Sequence, residues 1–396
     1  MLLPENGNQV DLGINSESHR GLDSQVIVIG AGPAGLAVGA CLKQADIPAI
    51  ILEKNDKVGA AWHQHYDRLH LHTDKRNSQL PFLPFPNDYP RYISRSQFIE
   101  YLKSYIEKFQ MNIRFHQEVI SARYDEEQWE VQTQDGFYHA TNLVIAAGCT
   151  HEPFRPAWPG QDSYNGTVIH ASQYKNGEPF KGKKVLVVGF GNSGGEIAID
   201  LWEHGAQVSL AVRNAVNVIP RELFGIPIMS VGLLLSKLPP NIADTISAPI
   251  LRIVQGDITK YGLRKLSYGP LTQIHRDRHV PLIDIGTMNL IKNGHVTVYE
   301  GIKEFIQDGV IFNDAKQVQF DAVILATGYH PRVNTFLTGA SATVYNENGM
   351  PLSSGYETRM PGLYFCGYYV APTGMLREIR LEAKRICASI AGKRTH

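Results

Sequence analysis

The sequence predicts an α/β fold in which one parallel-sheet programme is written twice, with an apolar helical insertion in the second copy. Three observations carry that prediction. Val26-Ile-Val-Ile-Gly30-Ala-Gly32-Pro-Ala-Gly35 is a β-branched apolar run followed by glycines at G-x-G-x-x-G spacing. Val185-Leu-Val-Val-Gly189-Phe-Gly191-Asn-Ser-Gly194 repeats that pattern 159 residues later. Two further apolar runs, Leu143-Val-Ile-Ala-Ala147-Gly148 and Ala322-Val-Ile-Leu-Ala326-Thr-Gly328, close the copies with alike ends.

In the first copy the apolar run reads as a buried parallel strand, and its glycines turn the chain into a helix over 36–45. The glycines serve a tight turn, close approach to a pyrophosphate, and close helix–strand contact. The helix N-terminus adds free N–H groups and partial positive charge, so Gly30, Gly32, Pro33, Ala34 and Gly35 form a candidate diphosphate cradle. A second strand, Ala49-Ile-Ile-Leu-Glu53, ends in an acid 18 residues beyond Gly35, placed to accept ribose hydroxyls, and Lys54 follows it. Leu80-Pro-Phe-Leu-Pro-Phe-Pro86 cannot be helix interior. Residues 94–108 have helical spacing at Phe98, Tyr101, Leu102, Tyr105 and Ile106, with Ser94 or Ser96 as cap. Strands at 119–124, 129–133 and 137–140 alternate as a meander, and Asp135-Gly136 marks a hairpin.

The second copy follows the same order. A helix is expected over 196–204, and a strand, Val208-Ser-Leu-Ala-Val212, ends in Arg213, 19 residues after Gly194. Short strands follow at 295–300, 303–306, 310–312 and 318–320, leading into Ala322. These patterns divide the chain into a tail (1–24), a first Rossmann-like dinucleotide-binding unit (25–175 and 318–396) and a second one (176–317) inserted in it.

The two second strands end in opposite charges. Glu53 suits a ribose with free hydroxyls, whereas Arg213 suits a 2′-phosphate through charge-assisted hydrogen bonds worth roughly 1.5–3 kcal/mol. The first site therefore reads as FAD or NAD and the second as NADPH. A chain holding two dinucleotides is most simply a flavin enzyme that takes hydride from NADPH. Passing electrons on to a disulfide needs a redox cysteine pair, and the sequence has none. Dioxygen or a quinone-like acceptor remains as the electron sink.

Composition bounds the other classes. At 396 residues there is room for two domains, or for one with a large insertion, and 43% hydrophobic content suits a soluble protein with sizeable cores. Lys plus Arg equals Asp plus Glu, 38 each, so no net charge draws the chain to nucleic acid or an anionic membrane. The most apolar stretch, 223–235, is interrupted by Pro227 and ends at Lys237-Leu-Pro-Pro, too short and broken to span a bilayer. The tail lacks the apolar core of a signal peptide. Cys41, Cys149, Cys366 and Cys387 are far apart, as expected of reduced thiols in a cytoplasmic protein.

Two segments then carry a resemblance. Tyr164-Asn-Gly166-Thr-Val-Ile-His170-Ala-Ser-Gln-Tyr174 resembles the identifying motif of the class B flavin-dependent monooxygenases, F-x-G-x-x-x-H-x-x-x-(Y/F), and Ala326-Thr-Gly328-Tyr329 resembles their A-T-G-Y segment. Tyr66-Asp-Arg-Leu-His-Leu-His72, Ile219-Pro-Arg-Glu222 and Val280-Pro-Leu-Ile-Asp-Ile-Gly-Thr287 read much like the plant YUCCA-type members, which convert indole-3-pyruvate to indole-3-acetate. The resemblance runs from about residue 25 to 390. It implies that NADPH reduces FAD, that dioxygen adds at the flavin C4a to give a peroxide or hydroperoxide, and that a small organic substrate is oxygenated. An aryl 2-oxo acid would be decarboxylated, and an amine or sulfide would take the oxygen directly. A flavin reductase or oxidase without oxygen insertion stays open.

Carried over by position, the resemblance implies that Gly30, Gly32, Gly35 and Glu53 hold FAD, and that Trp62 matches the tryptophan of a flavin segment. Gly148 and Gly367 lie at strand ends of the flavin unit. Gly189, Gly191, Asn192, Ser193, Gly194 and Arg213 would hold NADPH, with Ala326, Thr327 and Gly328 beside them. His170 would couple the two nucleotide units. His72 occupies the place where many members carry an asparagine near the flavin, and Lys75 follows; both are candidates to polarise the reacting oxygen. The tyrosine at 368 replaces the aspartate of a usual Gly-Asp pair. The apolar segment 223–254, divided at Pro239-Pro240, is expected to be a lid and substrate tunnel, with a core helix or a homodimer surface as alternatives.

Overall fold

The computed structural model describes residues 22–125, 127–149, 152–339 and 343–393. The expected tail falls almost wholly outside them. Within them two parallel-sheet units share one strand order. In the first, Ile113–Arg114, Ala49–Leu52, Leu22–Ile29 and Gly136–Ile145 lie side by side in parallel. In the second, Val296–Tyr299, Gln207–Ala211, Lys184–Val188 and Ala322–Leu325 take the same places, and Thr167–His170 adds an outer parallel strand. Strands covered on both faces must be apolar throughout. Val26, Ile27, Val28, Val185, Leu186 and Val187 are all fully buried. Each such side chain contributes about 1.5–3 kcal/mol of transfer free energy.

Gly136–Ile145 is one strand where the alternation pattern suggests two. Its first half pairs antiparallel with Gln128–Thr133, and its second half pairs parallel with Leu363–Phe365, while Leu22–Ile29 runs along its other edge. The change of pattern from alternating to continuous apolar marks the change of neighbour, not a chain break.

The sequence boundaries assign 167–170 and 322–325 to the first unit. Strand pairing places both in the second sheet instead, through the registers Ala322↔Val185 and Val323↔Val168. The physical reason is the repeat itself. The closing strand of each copy covers the edge of its own glycine-bearing strand. The meander Ile302–Ile306, Gly309–Phe312 and Gln317–Gln319 packs on this sheet, with Phe305, Phe312 and Phe320 joining Leu186 and Val323 in one cluster.

Arg95–Phe109 begins at Ser94, not Ser96, in a full capping box with Gln97. Its inner face anchors the proline-rich loop. Tyr101 Oη accepts from Leu80 N at 2.9 Å and donates to Leu83 O at 2.7 Å, and Tyr105 Oη donates to Pro81 O at 2.9 Å. The apolar segment forms a short hairpin, Glu222–Leu223 with Ile226–Pro227, and two helices, Ile228–Leu235 and Pro240–Gln255. No helix among the described residues is long and apolar enough to cross a membrane. The four cysteines form no disulfide.

Candidate functional site

Both glycine turns close on equivalent backbone carbonyls. Gly30 has φ +101° and Gly189 φ +109°, a region that side-chain-bearing residues avoid. A Cβ on Gly30 would lie 2.7 Å from Ala146 O, and one on Gly189 2.5 Å from Ala326 O. A Cβ on Gly35 would meet Gly30 O at 1.9 Å, and one on Gly194 would meet Gly189 O at 2.2 Å. The first and third glycines are therefore required by the fold itself. The middle ones are not, since a Cβ on Gly32 or Gly191 meets nothing within 4 Å. What that open space fits is a diphosphate lying against bare backbone. The helices Pro33–Gln44 and Asn192–Glu203 start there without a side-chain cap, leaving their first N–H groups for an anion. Pro33 has no N–H, so Ala34 and Gly35 carry the donors of the first turn.

Glu53 is 6% exposed at the end of its strand. Its Oε2 accepts from Ala31 N at 2.8 Å, and its Oε1 accepts from Asn55 N at 2.9 Å and Asn55 Nδ2 at 2.7 Å. The carboxylate is thus locked over the first cradle, with lone pairs left for a ribose. Lys54 beside it is exposed and faces the same cavity. Arg213 is exposed beyond the strand Gln207–Ala211, and its carbonyl accepts from Arg264 Nη2. A second arginine is thereby held at that strand end. The second, Arg264, comes from a loop 51 residues away and carries no sequence signal.

A cavity of about 850 Å³ runs from the first cradle to the start of the second helix, while Gly189, Gly191, Gly194, Arg213, Ala326, Thr327 and Gly328 lie off its wall. Gly30, Gly32, Pro33, Ala34, Glu53, Lys54, Trp62, Gly148 and Gly367 line one part of it, and Asn192 and Ser193 another. Trp62 leans on Phe98, with ring centroids 4.4 Å apart. The inner faces of the two inserted helices close the remaining side through Ile228, Met229, Leu235, Ile246 and Ile250. The start of the last helix, Met375–Gly392, also reaches the wall through Met375 and Leu376. Outward residues of the inserted helices, such as Leu234 at 68% and Ile253 at 80%, remain exposed.

His72 lines the cavity, and its Nε2 is hydrogen-bonded to Glu196 Oε1. Glu196 is 2% exposed on the helix that starts at the second cradle. The Tyr66 hydroxyl stands beside Ser193 and Glu196, and burial followed by the Glu196 charge pushes its pKa well up. Sequence reading did not single out Glu196 or Tyr66. The lysine expected beside His72 goes elsewhere. Lys75 Nζ donates to Asn87 O at 2.8 Å and Tyr89 O at 2.6 Å, so it ties down the proline-rich loop and is not part of the cavity wall.

His170 is fully buried and likewise off the cavity wall. Its Nδ1 accepts from Ser172 N at 3.1 Å, so Nε2 carries the proton and donates to Gly328 O at 3.1 Å. Burial holds its pKa below the usual value. It secures the Ala326-Thr327-Gly328 turn, where Thr327 Oγ1 also donates to Phe154 O. Gly367, at φ +87°, donates its N–H to Glu382 Oε2 at 2.6 Å. Glu382 is fully buried and its pKa is pushed up to about 7 by desolvation. It anchors the turn where an aspartate at position 368 would otherwise be expected, and Tyr368 turns inward.

Two open diphosphate cradles, the second reaching the cavity through Asn192 and Ser193, fit a flavin enzyme that takes hydride from a nicotinamide dinucleotide. Residues 27–221 match the pyridine nucleotide-disulphide oxidoreductase family. Over 349 residues the chain is 40% identical to indole-3-pyruvate monooxygenase YUCCA1 of Oryza sativa subsp. japonica, covering 86% of each. A probable indole-3-pyruvate monooxygenase YUCCA1 of Arabidopsis thaliana is 38% identical over 93% of this chain and 88% of its own. The flavin-containing monooxygenase of Stenotrophomonas maltophilia shares the fold at a TM-score of 0.71 and 21% identity, over 93% of this chain and 99% of that one. The chain belongs to the YUCCA-type branch of the class B flavin monooxygenases. Its cofactors are FAD and NADPH.

Proposed function

We propose that this enzyme converts an aryl 2-oxo acid, such as indole-3-pyruvate, to the acid one carbon shorter. The balance is one dioxygen, one NADPH and one proton consumed, with carbon dioxide, NADP+ and water released. The observation that carries the reading is the cavity in which the first cradle, the helix start of the second cradle at Asn192 and Ser193, and the apolar inserted helices meet. The relatives named indole-3-pyruvate monooxygenase, 38–40% identical, support the choice of substrate.

In this reading Gly30, Gly32, Pro33, Ala34 and Gly35 hold the FAD diphosphate, Glu53 its ribose, and Lys54, Trp62, Gly148 and Gly367 its flanks. Gly189, Gly191, Ser193 and Gly194 hold the NADPH diphosphate, with Arg213 at the 2′-phosphate. Asn192 acts from the side, because its Oδ1 already accepts from Ile283 N at 2.8 Å. Ala326, Thr327 and Gly328 shape the same cradle, and His170 holds that turn in place. Bound FAD supplies two electrons and activates dioxygen at its C4a position. The protein's share is an apolar wall at Met229, Leu235, Ile246 and Ile250, and proton handling at His72. The four free thiols support a cytoplasmic location.

A second reading, oxygenation of a neutral amine or sulfide, has one observation in its favour. Lys54 is the single Lys or Arg among the described cavity residues, and it lies beside Glu53, not in the apolar arm. Mass spectrometry of products under ¹⁸O₂, with an oxo acid, an amine and a sulfide as substrates, separates the readings. One ¹⁸O in the shortened acid, with carbon dioxide matching NADPH consumed, is expected. Labelled amine oxide or sulfoxide alone would favour the second reading, and hydrogen peroxide as the only product would leave a simple oxidase.

A further inference from the structure

We infer that Glu196 is the positioning residue of this site, fixing the tautomer and direction of the His72 ring. The two side chains come from different units. His72 lies on the loop after the helix Ala60–Gln64, and Glu196 on the first turns of Asn192–Glu203. Their hydrogen bond joins Nε2 to Oε1. With Glu196 as a carboxylate, which only accepts, the Nε2 proton stays on the ring and points at Glu196. Nδ1 is left as the free lone pair, and it makes no hydrogen bond among the described residues. A carboxylate behind an imidazole fixes which nitrogen can accept a proton, whatever the surrounding fold.

Glu196 is in turn held away from water. It is 2% exposed, its Oε2 has no hydrogen-bond partner, and the Tyr66 hydroxyl stands beside the carboxylate. A buried carboxylate with a single strong donor holds that donor in place, because releasing it would strand a charge out of water. The same helix face fastens the neighbouring chain twice more. Asp200 Oδ2 accepts from Tyr174 Oη at 2.5 Å, and Glu203 takes both Nε and Nη2 of Arg68, at 2.9 and 2.8 Å. Spacings of four and three residues put all three acids on one side of the helix. His72 is thereby set against the helix whose N-terminus forms the second dinucleotide cradle, and its direction depends on that helix.

The inference rests on His72 facing the reaction site, and its test separates the two claims. Long-range ¹H–¹⁵N spectra of the FAD-loaded enzyme labelled in histidine report the tautomer directly, with His72→Gln identifying the signal. The wild type should show Nε2–H with an unprotonated Nδ1, and Glu196→Gln should lose that fixed pattern. Product formed per NADPH consumed should fall at least about tenfold in Glu196→Gln, while FAD content stays at the wild-type level. An Nδ1–H tautomer in the wild type, or an unchanged tautomer in Glu196→Gln, overturns the inference. The wild-type spectrum decides it even where the variant does not fold. A changed tautomer with unchanged coupling supports the positioning role and instead overturns the reading of His72 as a group of the reaction site.

Discussion

His72 and Glu196 meet across the two nucleotide-binding units, imidazole Nε2 to carboxylate Oε1, and close the cavity on the side where the second glycine turn begins. The contact ties the proposed oxygen-handling group to the helix proposed to carry NADPH. Chemistry at one dinucleotide and occupancy of the other thus share a side-chain pair. The predictions below probe the parts of the site on either side of it.

Replacing Arg213 by alanine should move the enzyme from NADPH toward NADH. A charge-assisted pair with the 2′-phosphate contributes about 1.5–3 kcal/mol, so the ratio of kcat/KM for NADPH over NADH should fall roughly ten- to a hundredfold. Steady-state kinetics with both nucleotides checks this. An unchanged ratio would move the selection to Arg264.

The glycines of the second cradle should separate folding from binding. Gly191→Ala meets nothing within 4 Å, so stability should stay within about 0.5 kcal/mol while the KM for NADPH rises. Gly189→Ala forces a side chain to φ +109° and to 2.5 Å from Ala326 O, and should cost about 1–3 kcal/mol or more of stability. Thermal midpoints and NADPH titrations of the two variants check the contrast.

Glu382 should make the protein less stable as pH rises. Its carboxyl is favoured neutral in the fold, with a pKa pushed up from 4.5 to about 7. Between those values the folded state holds the proton that the unfolded chain releases, so stability falls across that window and levels off above it. The full difference amounts to roughly 3 kcal/mol. Glu382→Gln should flatten the profile, so that the variant gains on the wild type from pH 5 to pH 8 in denaturant titrations. Parallel profiles would remove the assignment.

Tyr101→Phe should loosen the proline-rich loop. Leu80 N and Leu83 O would both lose their buried partner, at a cost of about 2 kcal/mol. The thermal midpoint should drop by several degrees, and amide exchange should quicken at Leu80. Protection unchanged at Leu80 would place the loop's anchor elsewhere, at Tyr105 or Lys75.

The amino-acid sequence by itself determined the doubled α/β plan, both glycine cradles and the opposite charges of Glu53 and Arg213. These are local patterns: a few adjacent residues decide strand, turn and helix start, and a strand-end charge needs no distant partner to be recognised. Tertiary structure alone decided which sheet takes Thr167–His170, that Gly136–Ile145 serves three neighbours, and that Lys75 holds a loop while His72 faces the cavity. The Glu196 carboxylate shows why. It lies 124 residues from His72, and their approach is created only when the two sheets pack. Periodicity fixes the face of its helix on which an acid lies, but the identity of the group across from that face depends on how the second unit sits against the first.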